Sequence, residues 1–157
     1  LKIGKPLKGQ LKIFTGIEWD PETKLYVGII PSIPGVHAQG ATWNELQKNL
    51  KEVLELCLEE NPDLKENLPH FVGLQEIEVG EWETRLVDAK TMENLLLKLG
   101  FEKVRQKRSH VFYRHIDGRT TTIPHHPGRK LARPLIREIL REIKLSPEQF
   151  NEELKKL

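Results

Sequence analysis

The chain has 157 residues, and its 25 Lys and Arg residues nearly balance its 23 Asp and Glu residues. No apolar run approaches the roughly 18 residues that a membrane-spanning helix requires, and the first residues, Leu1-Lys2-Ile3-Gly4-Lys5, lack the apolar core of a secretory signal. The single cysteine, Cys57, excludes an intrachain disulfide. We therefore expect a cytoplasmic protein that does not bind membranes.

The balanced total charge conceals a division of the chain near residues 83 and 84. Residues 1 to 83, the acidic module, carry eight Lys and Arg against fourteen Asp and Glu, a net charge of −6. Residues 84 to 157, the basic module, carry seventeen against nine, a net charge of +8. Each is long enough for a small domain. This asymmetry predicts a polyanionic partner for the basic module, or binding between the two modules.

The acidic module begins with a predicted β-hairpin. Residues 10 to 19 alternate apolar and polar side chains, residues 20 to 23 supply turn-forming types, and residues 24 to 30 alternate again. Pro31 and Pro34 then interrupt the alternation and leave room for only a short strand. These patterns predict two long strands and one short one.

A helix and a further strand complete the predicted acidic module. Thr42 and Glu45 have the spacing of a capping box, which predicts a helix that runs to about Glu60. Asn61-Pro62 ends this helix, and the apolar and polar alternation of residues 71 to 79 predicts another strand. The expected order of elements is therefore β-β-β-α-β, with the third strand short.

The basic module has the predicted order α-β-β-β-α and closes with one more helix. Asp88 is a suitable N-cap and Gly100 a suitable C-terminal residue for the first helix. Asp117-Gly118 is a tight hairpin signal between the second and third strands. The predicted ranges are a helix over 89–99, strands over 102–106, 110–116 and 120–123, a helix over 131–143, and a last helix capped by Ser146. Modules that bind double-stranded RNA have this element order, and the whole chain falls in the α+β class.

His110 is the candidate catalytic residue. Attack of a ribose 2′-hydroxyl on the neighbouring phosphate needs a proton acceptor, a proton donor and cations around the phosphorane. Histidine has a pKa of about 6.5 and carries protons near neutral pH. His110 opens a strand beside Arg105, Lys107 and Arg108, where a phosphate would meet charge and imidazole together. The alternative is that His110 is only a polar strand residue.

The residues around His110 supply further candidates for RNA binding. His126 is either a second acid–base group, a phosphate contact or a plain loop histidine, and we expect His125 to face solvent and His115 to be structural. The stripe formed by Arg133, Arg137 and Arg141 could meet RNA, the acidic module or only water. The RNA-binding candidates are Arg105, Lys107, Arg108, Ser109, His126, Arg129 and Lys130.

The acidic module offers contacts more than catalysis. Its helix carries carboxylates that form either a solvated face or a patch that mimics phosphates, namely Glu45, Glu52, Glu55, Glu59 and Glu60. We interpret Glu18, Asp20 and Glu22 as surface residues, and His37 as a possible contact with the basic module. No Cys pair and no His-x-x-x-His helix is present, so the sequence predicts neither a metal site nor a cofactor.

The basic module resembles the HicA-type mRNA interferase toxins over its whole length. The resemblance rests on residues 96–101, 105–110, 117–119 and 145–150 and on Pro124-x-His126. Residues 10 to 83 resemble the N-terminal part of a HicB antitoxin, through Trp19-Asp20, Tyr26-Val27, Pro31-x-x-Pro34-Gly35, Gln39-Gly40-x-Thr42 and the helix from Trp43. The resemblance implies a ribonuclease with a double-stranded-RNA-binding-like fold, kept from mRNA by an antitoxin domain with a partial RNase H fold.

Two departures from these families accompany the resemblance. The toxins usually have Gly immediately before the Ser-His pair, where this chain has Arg108, and we recognise no DNA-binding segment after the antitoxin-like residues. The predicted linker of about six residues spans at most roughly 20 Å, so masking of His110 in cis and in trans, within an exchanged dimer, both stay open. The resemblance also implies dimerising antitoxin sheets and hence a homo-oligomer. The rival hypotheses are an RNA-binding adaptor in which Arg108 has abolished cleavage and a regulatory antitoxin-type protein that binds a separate toxin through its acidic module.

Overall fold

The computed structural model describes residues 13–66, 68, 73 and 84–157. It confirms the α+β class, with two three-stranded antiparallel sheets and helices beside each. The elements in chain order are β1 (Gly16–Asp20), β2 (Leu25–Ile29), β3 (His37–Gly40), α1 (Trp43–Glu60), α2 (Ala89–Lys98), β4 (Phe101–Lys107), β5 (His110–His115), β6 (Thr120–Pro124), α3 (Arg133–Ile143) and α4 (Pro147–Lys155). Within the described ranges, no helix has the length and apolar character needed to cross a membrane.

The acidic module contains the predicted hairpin and short third strand. In the turn, the Asp20 carboxylate accepts hydrogen bonds from the Glu22 N–H at 3.3 Å and from the Thr23 hydroxyl at 2.5 Å. Strand β2 lies between β1 and β3, and both pairings are antiparallel. The first predicted strand is shorter than expected at its start, since β1 begins at Gly16, and residues 10 to 12 lie outside the described residues.

Helix α1 begins and ends where the sequence predicts. The Thr42 hydroxyl accepts from the Glu45 N–H at 3.2 Å, while the Glu45 carboxylate accepts from the N–H of Ala41 at 2.7 Å. A Cβ on Gly40 would lie 2.5 Å from the backbone nitrogen of Leu46, so glycine allows β3 to turn closely into this helix. The predicted strand over 71–79 lies, apart from residue 73, outside the described residues.

The basic module has the predicted α-β-β-β-α order followed by α4. The Asp88 side chain caps α2 through the Thr91 N–H at 2.8 Å, and Gly100 follows the helix with a φ of +89°. The three strands form one sheet in sequence order, with a β-bulge between Lys103 and Arg105. Helix α3 starts at Arg133, two residues later than predicted.

The two modules share their apolar packing. Val111 and Tyr113 of β5 face the helices of the basic module, whereas Phe112 faces the other way and packs in the cluster beneath α1. Leu25 and Val27 of the acidic module join the cluster that surrounds α3. Full burial of each such side chain contributes roughly 1.5 to 3 kcal/mol. Apolar contacts therefore hold the acidic module on the sheet face that carries His110.

Candidate active site between the two modules

His110 lies at the centre of the contact between α1 and the basic sheet. It opens β5 opposite Pro124, and its side chain is fully buried. Its Nδ1 atom is 2.9 Å from Oε1 of Glu52, a residue of α1, and its Nε2 atom is buried and has no hydrogen-bond partner among the described residues. Burial lowers the pKa of His110, although the Glu52 carboxylate opposes that shift. A neutral imidazole with N–H at Nδ1 and a free lone pair at Nε2 fits these contacts.

His126 lies on the same side of the sheet as His110. The two imidazole rings are perpendicular, with their centroids 6.4 Å apart. Nε2 of His126 is also buried, and no residue of the described ranges forms a hydrogen bond with it. Burial lowers the pKa of His126, and the nearby Arg129 guanidinium lowers it further. The structure thus brings together the two histidines that the sequence analysis selected.

Carboxylates of α1 engage the cations around these histidines. Lys107 Nζ lies 2.8 Å from Glu59 and 3.2 Å from Glu55, and the hydrogen bond from Lys107 lowers the pKa of Glu59. Arg105 also pairs with Glu59. Two more pairs close the ends of this surface, Arg129 with Glu45 at 2.7 Å and Arg114 with Glu60 at 3.7 Å. The α1 carboxylates therefore all contact the basic module, where Glu52 and Glu60 are largely buried and Glu45, Glu55 and Glu59 stay partly exposed to solvent.

Two family models match the chain side by side. A model described as "HicA toxin of bacterial toxin-antitoxin" matches residues 89–145, and a model described as "UPF0150-like" matches residues 18–68. A UPF0150 protein of Thermotoga maritima is 55% identical over 74 residues, which are 46% of this chain and 97% of that relative. UPF0150 proteins of Synechocystis sp. and Archaeoglobus fulgidus are 40% and 38% identical, over 81% and 96% of their lengths and 37% and 44% of this chain.

The chain belongs to the UPF0150 family. Its acidic module carries the antitoxin-type UPF0150 domain, and its basic module carries a HicA toxin domain, so the chain joins an antitoxin to a toxin. His110 and the cations beside it belong to the HicA domain, and the helix that covers them belongs to the UPF0150 domain. The resemblance predicted from the sequence is confirmed.

Arg108 occupies the turn just before Ser109 and His110 in the HicA domain. Its φ of +51° lies in the left-handed region that glycine adopts most readily, and its side chain is exposed. The Gln106 side chain donates to the Arg108 carbonyl at 2.8 Å. The backbone of Arg108 therefore has the conformation that glycine adopts most readily, and glycine is the residue that the HicA toxins usually have at this position. Ser109 Oγ lies 3.4 Å from His110 Nδ1.

The arginines of α3 also face the UPF0150 domain. Arg133 pairs with Glu22 at 2.6 Å and Arg137 with Glu18 at 3.0 Å. The N–H of Arg133 donates to Asp20 at 3.4 Å, and Asp20 is buried. The interpretation as surface residues is confirmed for Glu18 and Glu22, which are exposed and pair with α3 arginines, and is wrong for Asp20, which is buried beneath the hairpin turn. Of the alternatives for the arginine stripe, contact with the acidic module is observed.

His37 is the second buried histidine of the contact. Its Nδ1 atom is 2.8 Å from Oε1 of Glu142 on α3, and its Nε2 atom is 2.7 Å from the Thr122 carbonyl oxygen. Because both partners accept hydrogen bonds, His37 must be protonated on both nitrogens to satisfy them. Burial alone would lower the pKa of His37, but Glu142 raises it overall. The predicted contact of His37 with the basic module is confirmed.

Sequence reasoning missed other interface residues and misplaced His125. Gln39 donates to the Lys130 carbonyl at 3.2 Å and accepts from the Ala132 N–H at 2.8 Å. His125 was expected to face solvent, but its side chain is only 25% exposed and contacts Tyr113 and Glu93. No local sequence pattern marked Glu93 and Tyr113 as partners of His125, or Lys130 and Ala132 as partners of Gln39.

The remaining predicted residues have simpler surroundings. His115 packs against Phe101, with ring centroids 5.1 Å apart, which fits a structural role. The Lys130 side chain is exposed, and its backbone bridges to Asp88. Among the residues that the structure describes, no group of three or more His, Cys, Asp and Glu side chains is arranged to hold a metal ion.

Proposed function

We propose that the HicA domain is an endoribonuclease that cleaves mRNA with His110 and without a metal ion, and that the UPF0150 domain keeps it inactive within the fused chain. The observation that carries this proposal is the burial of His110 against Glu52. A carboxylate from the antitoxin-type domain lies 2.9 Å from the imidazole that the chemistry requires. Bound in this way, His110 has no access to a ribose hydroxyl.

The surroundings of His110 suit transesterification once α1 has moved away. His110 Nε2 would accept the proton of a ribose 2′-hydroxyl as its oxygen bonds to phosphorus, and His126 would protonate the 5′-oxygen as its bond to phosphorus breaks. The products would be a 2′,3′-cyclic phosphate and a free 5′-hydroxyl. Arg105, Lys107 and Arg129 would stabilise the charge of the phosphorane. Exposure to water would also remove the desolvation that lowers the pKa of His110.

The carboxylates of α1 support a mask that imitates RNA phosphates. Each engages a cation or histidine that we predict to bind RNA, so RNA and α1 compete for the same groups. Exposed ion pairs of this kind contribute only about 0 to 1 kcal/mol each. The stability of the closed form must then come chiefly from the shared apolar clusters, while the charged pairs determine the register of the contact.

Masking in cis is the arrangement that the contacts favour. Glu52 and His110 of the same chain meet directly, and so do His37 and Glu142. Measurement of the molar mass in solution by light scattering tests this arrangement. A monomer that does not cleave RNA supports masking in cis, and a dimer keeps masking in trans open.

The first experiment separates the two domains. Residues 84 to 157 contain most of their own core, to which the acidic module adds only Leu25 and Val27 among the described buried residues. We would test this fragment, its His110→Ala variant and the full chain on a labelled mRNA in EDTA, after circular dichroism shows that each is folded. Cleavage by the unsubstituted fragment alone supports the proposal. Equal cleavage by the His110→Ala fragment would contradict it.

A second experiment opens the mask in the full chain. Glu55→Lys combined with Glu59→Lys places like charges opposite Arg105 and Lys107. We expect this variant to cleave mRNA at least tenfold faster than the unsubstituted chain, because repulsion replaces attraction across the contact. Glu148→Lys combined with Glu152→Lys is the matched control, with the same change in charge on exposed positions of α4. A similar gain in the control would show that net charge, and not unmasking, increases cleavage.

The alternative function is an RNA-binding adaptor without catalysis. Arg108 favours it, because this residue adds bulk and charge beside His110 where the toxins usually have glycine. The adaptor predicts that the folded fragment binds RNA equally well with and without His110→Ala and that neither protein cleaves it. If Arg108→Gly then restores cleavage, the change at this turn is the cause of the lost activity.

A further inference from the structure

A hydrogen-bonded network lies on one face of the basic sheet, and His110 lies on the other face. Tyr113, in the middle of β5, donates its hydroxyl proton to the Glu93 carboxylate on α2. Nε2 of His125 lies 3.1 Å from the Tyr113 oxygen and 3.4 Å from Oε2 of Glu93. Because the Tyr113 proton is directed at Glu93, His125 must carry a proton on Nε2 and donate it to this pair. The network therefore determines both the tautomer and the direction of the His125 ring.

The protonation states of the network are stable near neutral pH. Burial raises the pKa of Tyr113, and the neighbouring carboxylate raises it further. The hydrogen bond from Tyr113 lowers the pKa of Glu93. Tyr113 thus remains a donor and Glu93 an ionised acceptor over the range in which histidines titrate.

The main chain around His125 is restrained as well. Pro124 ends β6 and has no N–H, and the next residue continues the pairing, since the N–H of His125 donates to the Ser109 carbonyl at 2.6 Å. Pro127 follows His126 and confines the backbone of His126 to extended conformations. His125 is consequently held by its side chain on one side and by its backbone on the other.

His126 depends on this restraint. Adjacent residues of an extended chain point to opposite faces of a sheet, and His125 contacts α2 while His126 lies 6.4 Å from the His110 ring. Among the described residues, Nε2 of His126 has no hydrogen-bond partner, and the charged groups that act on its ring are Arg129, Glu45 and Glu52. The anchoring of His125 restrains the main chain from which the His126 ring projects toward these groups.

We propose that Glu93, Tyr113 and His125 are positioning residues, which together set the place of the His126 imidazole beside His110. The consequence for cleavage rests on the function proposed above, whereas the consequence for the His126 ring does not. Mispositioning of His126 would slow the protonation of the leaving oxygen more than it would weaken RNA binding, which depends mainly on the cations.

Two amide substitutions of His125 test the proposal. In His125→Gln the amide nitrogen takes the place of imidazole Nε2 and can donate to Tyr113, while in His125→Asn it stops at the place of Nδ1 and cannot. In the full chain that carries Glu55→Lys and Glu59→Lys, we expect His125→Asn to reduce kcat roughly tenfold to a hundredfold with little change in KM. We expect His125→Gln to recover most of that loss. Equal kcat values for the two variants would overturn the proposal.

Nuclear magnetic resonance of the full chain provides a readout that does not depend on cleavage. We expect the ring signals of His126 to shift in His125→Asn and in Tyr113→Phe, and to stay near their original positions in His125→Gln. Unchanged His126 signals in both His125→Asn and Tyr113→Phe would overturn the positioning role. If no protein cleaves RNA and the signals shift as expected, the proposed ribonuclease fails while the positioning role stands.

Discussion

The contact between the two modules contains two buried histidine–carboxylate pairs, and the module that supplies the histidine differs between them. In one, the basic module supplies His110 and the acidic module supplies Glu52; in the other, the acidic module supplies His37 and the basic module supplies Glu142. All four side chains are at most 6% exposed. The pairs differ in the second ring nitrogen, which donates to the Thr122 carbonyl in His37 and, in the part of the chain that the structure describes, has no hydrogen-bond partner in His110.

Under the function proposed above, this difference separates a structural pair from a functional one. His37 is fully satisfied only as an imidazolium, and Glu142 raises its pKa, so the pair behaves as a buried ion pair. His110 is desolvated without a second acceptor, and burial lowers its pKa. The lone pair on His110 Nε2 is what a proton acceptor needs. Because only one of the two ring nitrogens forms a hydrogen bond within the described ranges, the ring is less firmly held than that of His37, and another ligand can replace Glu52. The comparison teaches that His37 stabilises the contact and that His110 is restrained by it.

The largest effect is expected from the structural pair. Glu142→Ala leaves His37 buried opposite a carbonyl without its carboxylate, and breaking a buried pair in this way costs about 3 to 5 kcal/mol. The free energy of unfolding from denaturant titration measures this loss. Glu142→Gln keeps an acceptor and should lose less, while Glu152→Gln on exposed α4 should change nothing measurable. A loss in Glu142→Ala no larger than the loss in Glu52→Ala would contradict this ranking of the two pairs.

A smaller loss is expected from the functional pair. Among the described residues, the Glu52 carboxylate and the more distant Ser109 hydroxyl are the hydrogen-bond partners of the His110 ring. Glu52→Ala removes the first, and an unsatisfied buried donor costs about 1 to 3 kcal/mol. Glu52→Gln preserves a neutral acceptor and should cost about 1 kcal/mol. We expect mRNA cleavage to increase from the original chain to Gln to Ala. Loss of stability without any increase in cleavage would disconnect Glu52 from masking.

The two pairs should also respond to pH in opposite directions. The folded pKa of His37 is raised, so its stabilisation is complete below the unfolded value of about 6.5 and is lost as the pH rises through the folded value. The folded pKa of His110 is lowered, so the unfolded chain binds the proton more readily, and stability falls as the pH decreases from about 6.5 toward the folded value.

Difference curves isolate these two contributions. The charged groups that face His37 are Glu142 and Glu138, and those that act on His110 are Glu52, His126 and His37 itself, so the two titrations are partly coupled. We would subtract the unfolding free energies of His37→Gln and of His110→Gln from that of the original chain between about pH 5 and pH 9. The difference for His37→Gln should change with pH above about 6.5, and the difference for His110→Gln should change with pH below about 6.5. Slopes on the same side would contradict the assignment.

The parts of the fold that the sequence predicted depend on neighbours a few residues apart. Thr42 caps α1 through Glu45, and Asp88 caps α2 through Thr91, three residues away in each case. The site was predictable as far as His110 and its adjacent cations, which follow one another in a single hairpin. Whether the carboxylates of α1 face solvent or the basic module was not predictable, because this depends on packing between segments that are far apart in sequence.

The missed residues belong to contacts of long sequence separation. His37 meets Glu142 across 105 residues, and no local pattern marks that glutamate among the others of α3. His125 and His126 are neighbours of the same type, so the sequence could not say which one faces His110. The direction depends on where β6 ends and on the partner that Tyr113 and Glu93 offer to His125.

The smallest effect on stability is expected at the turn beside His110. Arg108→Gly removes a side chain from a backbone with a φ of +51°, which relieves about 1 kcal/mol of steric cost, while the greater freedom of glycine in the unfolded chain costs about 0.4 to 1 kcal/mol. The two effects nearly cancel. Lys24→Gly is the matched control, because Lys24 has a φ of +57° and an exposed side chain in the acidic module.

RNA binding should distinguish these two turns where stability does not. In the chain that carries Glu55→Lys and Glu59→Lys, Arg108→Gly should weaken RNA binding and reduce the dependence of log Kd on log salt by about one unit, as expected for one lost phosphate contact. Lys24→Gly should leave both quantities unchanged, because Lys24 lies on the module that covers the site and does not form it. An equal reduction in both variants would show that RNA binding reflects total charge. The turn at Arg108 and the turn at Lys24 would then be equivalent for RNA binding, although they lie in different modules.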